Sequence, residues 1–115
     1  MKTREVSENT WKEFCAAVEE HCRGSLVSLE HLLPDGSKST IIHNEPLRSF
    51  RLDDTSDPCN TILAIGAGPL VHNIVEPIHI RLRSENGDET FTHFEIKAEN
   101  ENVVGALHPG YRPVS

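Results

Sequence analysis

The residues with the most chemical reach in this chain are its histidines, seven in 115 residues. Imidazole titrates near neutral pH and is the commonest metal ligand. His79 and His93 flank an Asn86-Gly87 pair, a strong short hairpin signal. If the two oppose each other across that hairpin, their Cβ atoms stand about 4.5–5.5 Å apart, near enough to share a metal ion. His72, His43 or a carboxylate would supply a third ligand. Arg81 lies on the same run, and with Arg48, Arg51 and Arg83 it offers a cationic strand face for an anion or acidic peptide. Cross-strand carboxylates such as Glu89, opposite Arg83, would neutralise that face. The binding candidates are therefore His72, His79, Arg81 and His93.

Other reactive groups point elsewhere. Cys15 and Cys22 are seven residues apart on a helical stripe, about 10 Å in rise, too far for a disulfide. They read as small buried hydrophobes. Cys59, beside Pro58, reads as the most accessible thiol, but a nucleophile needs a base such as His72 and no elbow or triad signature accompanies it. Gly66-Ala67-Gly68 follows an apolar run, as a dinucleotide loop does, yet no third glycine and no helix follow, so it reads as a tight strand connection. No catalytic residue, no cofactor and no complete metal-ligand set is assigned from the sequence.

Composition narrows the classes further. Lys and Arg number 11 and Asp and Glu 18, a net charge of -7. That disfavours nucleic acid and anionic membrane as partners, because phosphates require clustered cations. An odd count of three cysteines and no apolar stretch after the N-terminal residues suggest a reducing, cytoplasmic setting. The longest uncharged run, Pro58 to Val75, is broken by Gly66, Gly68 and Pro69 and is too polar to span a bilayer. The length fits a single domain, assigned to residues 1–108, with 109–115 as an extended tail.

The elements that must position these residues follow from periodicity. Trp11, Phe14, Cys15, Val18 and Cys22 recur at helical spacing, predicting a helix over about 8–23. Thr10 and Glu13 have capping-box spacing, Ser7 is a rival cap, and Gly24 occupies the C-terminal stop. Trp11 reads as core against a sheet or as an interface anchor. After Gly24 the period becomes two. Strands are predicted at 25–33, 39–43, 47–52, 61–65, 78–83, 90–97 and 103–107, with Pro34-Asp35-Gly36 as a turn and Pro46 as a break. For the Asn86-Gly87 hairpin a three-residue loop is preferred. It opposes Ile78 to Phe94, Ile80 to Thr92, Arg81 to Phe91 and His79 to His93, and gathers the apolar residues on one face. The acid-rich stretch from Glu85 to Glu101 reads as a solvated edge that resists association. The fold class is α+β: an N-terminal helix followed by a bent antiparallel sheet or small barrel of five to six strands.

The order helix, Gly24, strand, Asp35-Gly36 turn, strand is similar to Sm-like and SH3-like small barrels. Phe50-Arg51-Leu52-Asp53-Asp54 stands where the Sm family carries its RNA-reading run, so the resemblance implies architecture and not RNA binding. Trp11-x-x-Phe14, Gly24-x-x-Val27-x-Leu29-Glu30, Pro34-Asp35-Gly36, Pro46-Leu47, Ile62-x-Ala64-Ile65-Gly66 and His72-x-Ile74-x-x-Pro77-x-x-Ile80-x-Leu82 resemble a bacterial family of short proteins without an assigned activity. The functional expectation is a non-catalytic interaction module that binds a protein partner or itself. The alternative is a small ligand- or metal-binding protein using strand histidines.

Overall fold

The computed structural model describes residues 2–53, 61–84 and 90–111. Cys59, the Asn86-Gly87 pair, Glu89 and the last four residues of the expected tail lie outside them. A short strand β1 (Lys2–Glu5) comes first, then a 3-10 turn (Glu8–Thr10) and α1 (Trp11–Cys22), the one α-helix among the described residues. Seven further strands follow: β2 (Leu26–Leu32), β3 (Lys38–Asp53), β4 (Ile62–Ala67), β5 (Leu70–Val75), β6 (Pro77–Ser84), β7 (Phe91–Ala98) and β8 (Asn102–Tyr111). They form one antiparallel sheet in the order β1-β6-β7-β8-β2-β3-β4-β5.

The α+β reading and the helix stand, with two corrections to the architecture. A strand precedes the helix, and the described sheet has eight strands and is not closed into a barrel. β1 escaped notice because Lys2-Thr3-Arg4-Glu5 shows no apolar alternation; it is held by a backbone ladder to β6. β5 escaped because its pattern is inverted, with valines facing out and a histidine among the residues facing in.

Helix α1 forms as its spacing dictates: Trp11, Cys15, Val18 and Cys22 are the buried stripe. The capping box does not form. Thr10 instead donates its hydroxyl to Ser7 O at 2.8 Å, completing the 3-10 turn. At the far end Gly24 takes a φ of 92°, a conformation that only glycine adopts without strain, and turns the chain into β2.

Residues 39–43 and 47–52 are not separate strands but parts of the 16-residue β3. Its first part pairs with β2 and its second with β4. The bend falls where Asn44 has a φ of 48°. Pro46, which has no N–H to give, sits where the strand changes partners, and its carbonyl accepts from Gly68 N at 2.9 Å.

The core lies between α1 and the inner sheet face. Phe50 is its brace, meeting Phe14 edge-on at 6.3 Å and Phe94 at 5.8 Å. Trp11 is buried and donates its indole N–H to Val6 O at 2.9 Å, so it is core. Glu19 fastens the helix to β3: its Oε1 accepts from Phe50 N at 3.1 Å and from Arg51 Nε at 2.8 Å. Partial burial pushes this carboxyl upward. The Arg51 and Phe50 hydrogen bonds and the charges of Arg51 and Arg23 outweigh it, so its pKa lies below the ordinary value.

The sheet curls strongly. β5 and β6 stand far apart in the strand order, yet one residue, Glu76, joins them. Val75 and Pro77 can therefore be no more than about 7.6 Å apart. Glu76 also ties the two ends together: its N–H donates to Thr61 O at 2.8 Å, its side chain accepts from Thr61 N at 3.0 Å, and its carbonyl accepts from Glu99 N at 3.4 Å. The curl carries the inner rows of β2 and β5 and the β7–β8 turn to one rim.

Candidate functional site

The expected histidine pair does not meet. β6 and β7 form the predicted antiparallel pair, but His79 opposes Lys97, and His93 opposes Arg83. Ile80 opposes Ile96, and Leu82 opposes Phe94. Every pairing has slid by four residues on β7. An even slip keeps the apolar residues on one face, so alternation alone does not exclude it. A bulge between Pro77 and His79 interrupts the register at the start of β6, and Ile78, expected on the apolar face, is exposed.

Arg81 of the expected cationic patch is neutralised. Arg81 Nε stands 3.4 Å and His79 Nδ1 3.3 Å from Glu5 Oε1, and Arg81 also reaches Glu95 at 3.6 Å. His93 Nδ1 lies 2.9 Å from Thr92 Oγ1. Arg81 and His93 both line a shallow groove of about 460 Å³, but Glu30 and Glu95 interleave with the cations there. His72 belongs to a different place.

His72 stands on the inner row of β5 with buried Ile74, and His31 on the inner row of β2 after buried Val27 and Leu29. Glu101 comes from the turn between β7 and β8 and meets both. Its Oε1 is 2.8 Å from His72 Nε2 and 2.9 Å from His31 Nε2. The two rings lie edge to face with centroids 5.4 Å apart. A carboxylate only accepts, so each imidazole presents Nε2–H to it. All three side chains are half-buried at the rim of the core. Beside them opens a depression of about 620 Å³ lined by His31, Leu33, Lys97, Glu99 and Glu101.

Sequence reasoning singled out His72 but missed its partners. By sequence, Glu101 belongs to a run of acids that reads as a solvated edge. His31 had a readable signal: it occupies the core-facing parity of its strand, between Leu29 and Leu33. A polar residue in that row must find a partner.

The outer side of β5 is the second notable feature. β5 is the last strand of the sheet, with no strand beyond it among the described residues. Every second residue of such a strand turns its N–H and C=O away from the neighbour. None of its six residues carries a carboxylate, ammonium or guanidinium. Val71 is 58% exposed, and Leu70 and Val75 are each 45% exposed.

The described thiols are closed off. Cys15 and Cys22 are buried and unpaired, as expected of small hydrophobes. Burial pushes the Cys15 thiol up to about 12 and raises that of Cys22. Among the described residues no helix is long and apolar enough to cross a membrane. No family model, no curated protein and no solved structure matches the chain.

Proposed function

We propose that this chain is a non-catalytic interaction module whose partner is a second copy of itself, docked antiparallel along β5. The observation that supports the reading is the unguarded terminal strand: apolar, uncharged and without the lysines that usually blunt such edges. A homotypic partner fits better than an arbitrary protein because an uncharged strand meets its own copy with no like-charge penalty, although the chain as a whole carries -7. With the two-fold axis at Asn73, Val71 of each copy falls beside Val75 of the other, and the two sheets run on as one. A six-residue strand is a small interface, so the association is weak and concentration-dependent. A reducing, cytoplasmic setting goes with this reading, supported by the free thiols of Cys15 and Cys22. The resemblance to a bacterial family of short proteins adds no activity to it.

Light scattering and sedimentation over a concentration series test the proposal. The expected result is a monomer–dimer equilibrium in the micromolar-to-millimolar range. Val71→Lys would weaken it at least tenfold without altering the melting temperature, because the position is exposed. A strict monomer at millimolar concentration, or a dimer indifferent to Val71→Lys, overturns it.

A further inference from the structure

We infer that His31, His72 and Glu101 form a binding site for one divalent transition metal ion of the zinc type. Three observations carry this inference, and none depends on the β5 dimer.

The first is convergence. Residues 31, 72 and 101 lie on β2, on β5 and in the turn before β8, and the fold brings their ligand atoms within 4.8 Å of one another. The second is donor chemistry. Two imidazole nitrogens and one carboxylate oxygen suit zinc and its borderline neighbours, and do not suit calcium or magnesium, which take oxygen donors. The third is access: the open depression beside His31 and Glu101 leaves a path for the ion and room for water at a remaining coordination position.

The distances are compatible with an ion after a small adjustment. Zinc bonds of about 2.0–2.2 Å place tetrahedral ligand atoms about 3.3 Å apart. The present contacts of 2.8 and 2.9 Å are those of hydrogen bonds. Each therefore opens by about half an ångström, and each ring moves its proton from Nε2 to Nδ1, exchanging it with solvent, so that the Nε2 lone pair of a neutral imidazole meets the metal. Glu101 lies in a hairpin turn at the rim, where its side chain can make that movement. His72 is on β5, so a bound ion would also fasten the last strand of the sheet to the β7–β8 turn.

The test uses the full chain, stripped with a chelator and titrated with zinc chloride. Calorimetry is expected to give one ion per chain. Melting temperature is expected to rise by about 10 °C once free zinc exceeds its dissociation constant about a hundredfold. His72→Gln and Glu101→Gln keep polar side chains but alter the ligand set, and each is expected to weaken binding at least tenfold. Cobalt(II) bound to the wild-type chain is expected to show the intense visible bands of a four-coordinate site, a readout that stands even if a variant fails to fold. The inference is overturned by no melting shift at millimolar zinc. It is also overturned by a shift that both folded variants retain, which places the ion at His43, His79, His93 or His108, or by cobalt bands no stronger than those of the hydrated ion.

Discussion

The two ends of the sheet are built on opposite principles. β1 is four residues long, and Lys2, Arg4 and Glu5 give it charge of both signs. Glu5 meets His79 and Arg81 across the strand, and the Arg4 guanidinium lies 6.0 Å from the centre of the Phe91 ring. β5 has no charged residue and faces outward with two valines. Short length and charge are the usual devices that keep a sheet edge from recruiting another chain. One edge has both, and the other has a histidine clasp on its inner side and nothing of the kind on its outer side. Edge strands are thus not equivalent positions: which of them is guarded indicates which is available for docking.

The largest effect is expected in the core between the two ends, where helix and sheet share one residue. Phe50 touches α1 through Phe14 and β7 through Phe94. Phe50→Ala should lower unfolding free energy by about 3–5 kcal/mol in urea titrations. Hydrogen exchange should show protection falling at β1 and β5 alike. If only one end loses protection, the sheet is two cooperative units and the comparison of its edges has to be redrawn.

Removing the guard from β1 should change the assembly. The double change Arg4→Val and Glu5→Val gives the molecule two bare edges. Two such edges per chain produce open-ended growth where one gives a closed dimer. Light scattering should then show species larger than a dimer at concentrations where the dimer proposed for the parent chain stops at two copies. A parent-like profile would mean that charge is not what protects β1.

A smaller effect is expected at the joint between helix and sheet. Glu19→Gln should cost about 1 kcal/mol by weakening the bonds to Phe50 N and Arg51. The folded-state pKa of Glu19 is lowered, so its ionised form stabilises the fold at neutral pH. That contribution is lost as the pH falls through the folded-state value. The stability gap between parent and variant should therefore narrow on acidification; a gap that widens contradicts the assignment. The least effect belongs to Glu5→Gln. Its ion pairs are largely exposed, and the unfolding free energy in urea titrations should stay within about 0.5 kcal/mol of the parent's.

Much of the architecture was legible because it follows from period and punctuation. The stripe Trp11, Cys15, Val18, Cys22 and the stop at Gly24 announce the helix. Alternation announces β2, β6, β7 and β8. What stayed hidden has identifiable causes. Alternation fixes which face a strand buries but not its slip by an even number of residues, so His79 and His93 were paired when His93 in fact faces Arg83. β1 is made by backbone bonds, which leave no mark in side-chain pattern. β3 reads as two strands because Pro46 looks like a break, and only the tertiary exchange of partners shows the chain passing through it.

By itself, then, the sequence determined local matters: one amphipathic helix, a glycine stop, the parity of most strands, and an acidic balance of charge. These depend on neighbours a few residues apart. Tertiary structure alone decided the strand order, which edge stays bare, and the meeting of His31, His72 and Glu101 at one rim. That meeting depends on how far the sheet curls. Curl is a sum of strand twists, one bend at Asn44 and a one-residue link at Glu76, and no short window of the chain contains all three.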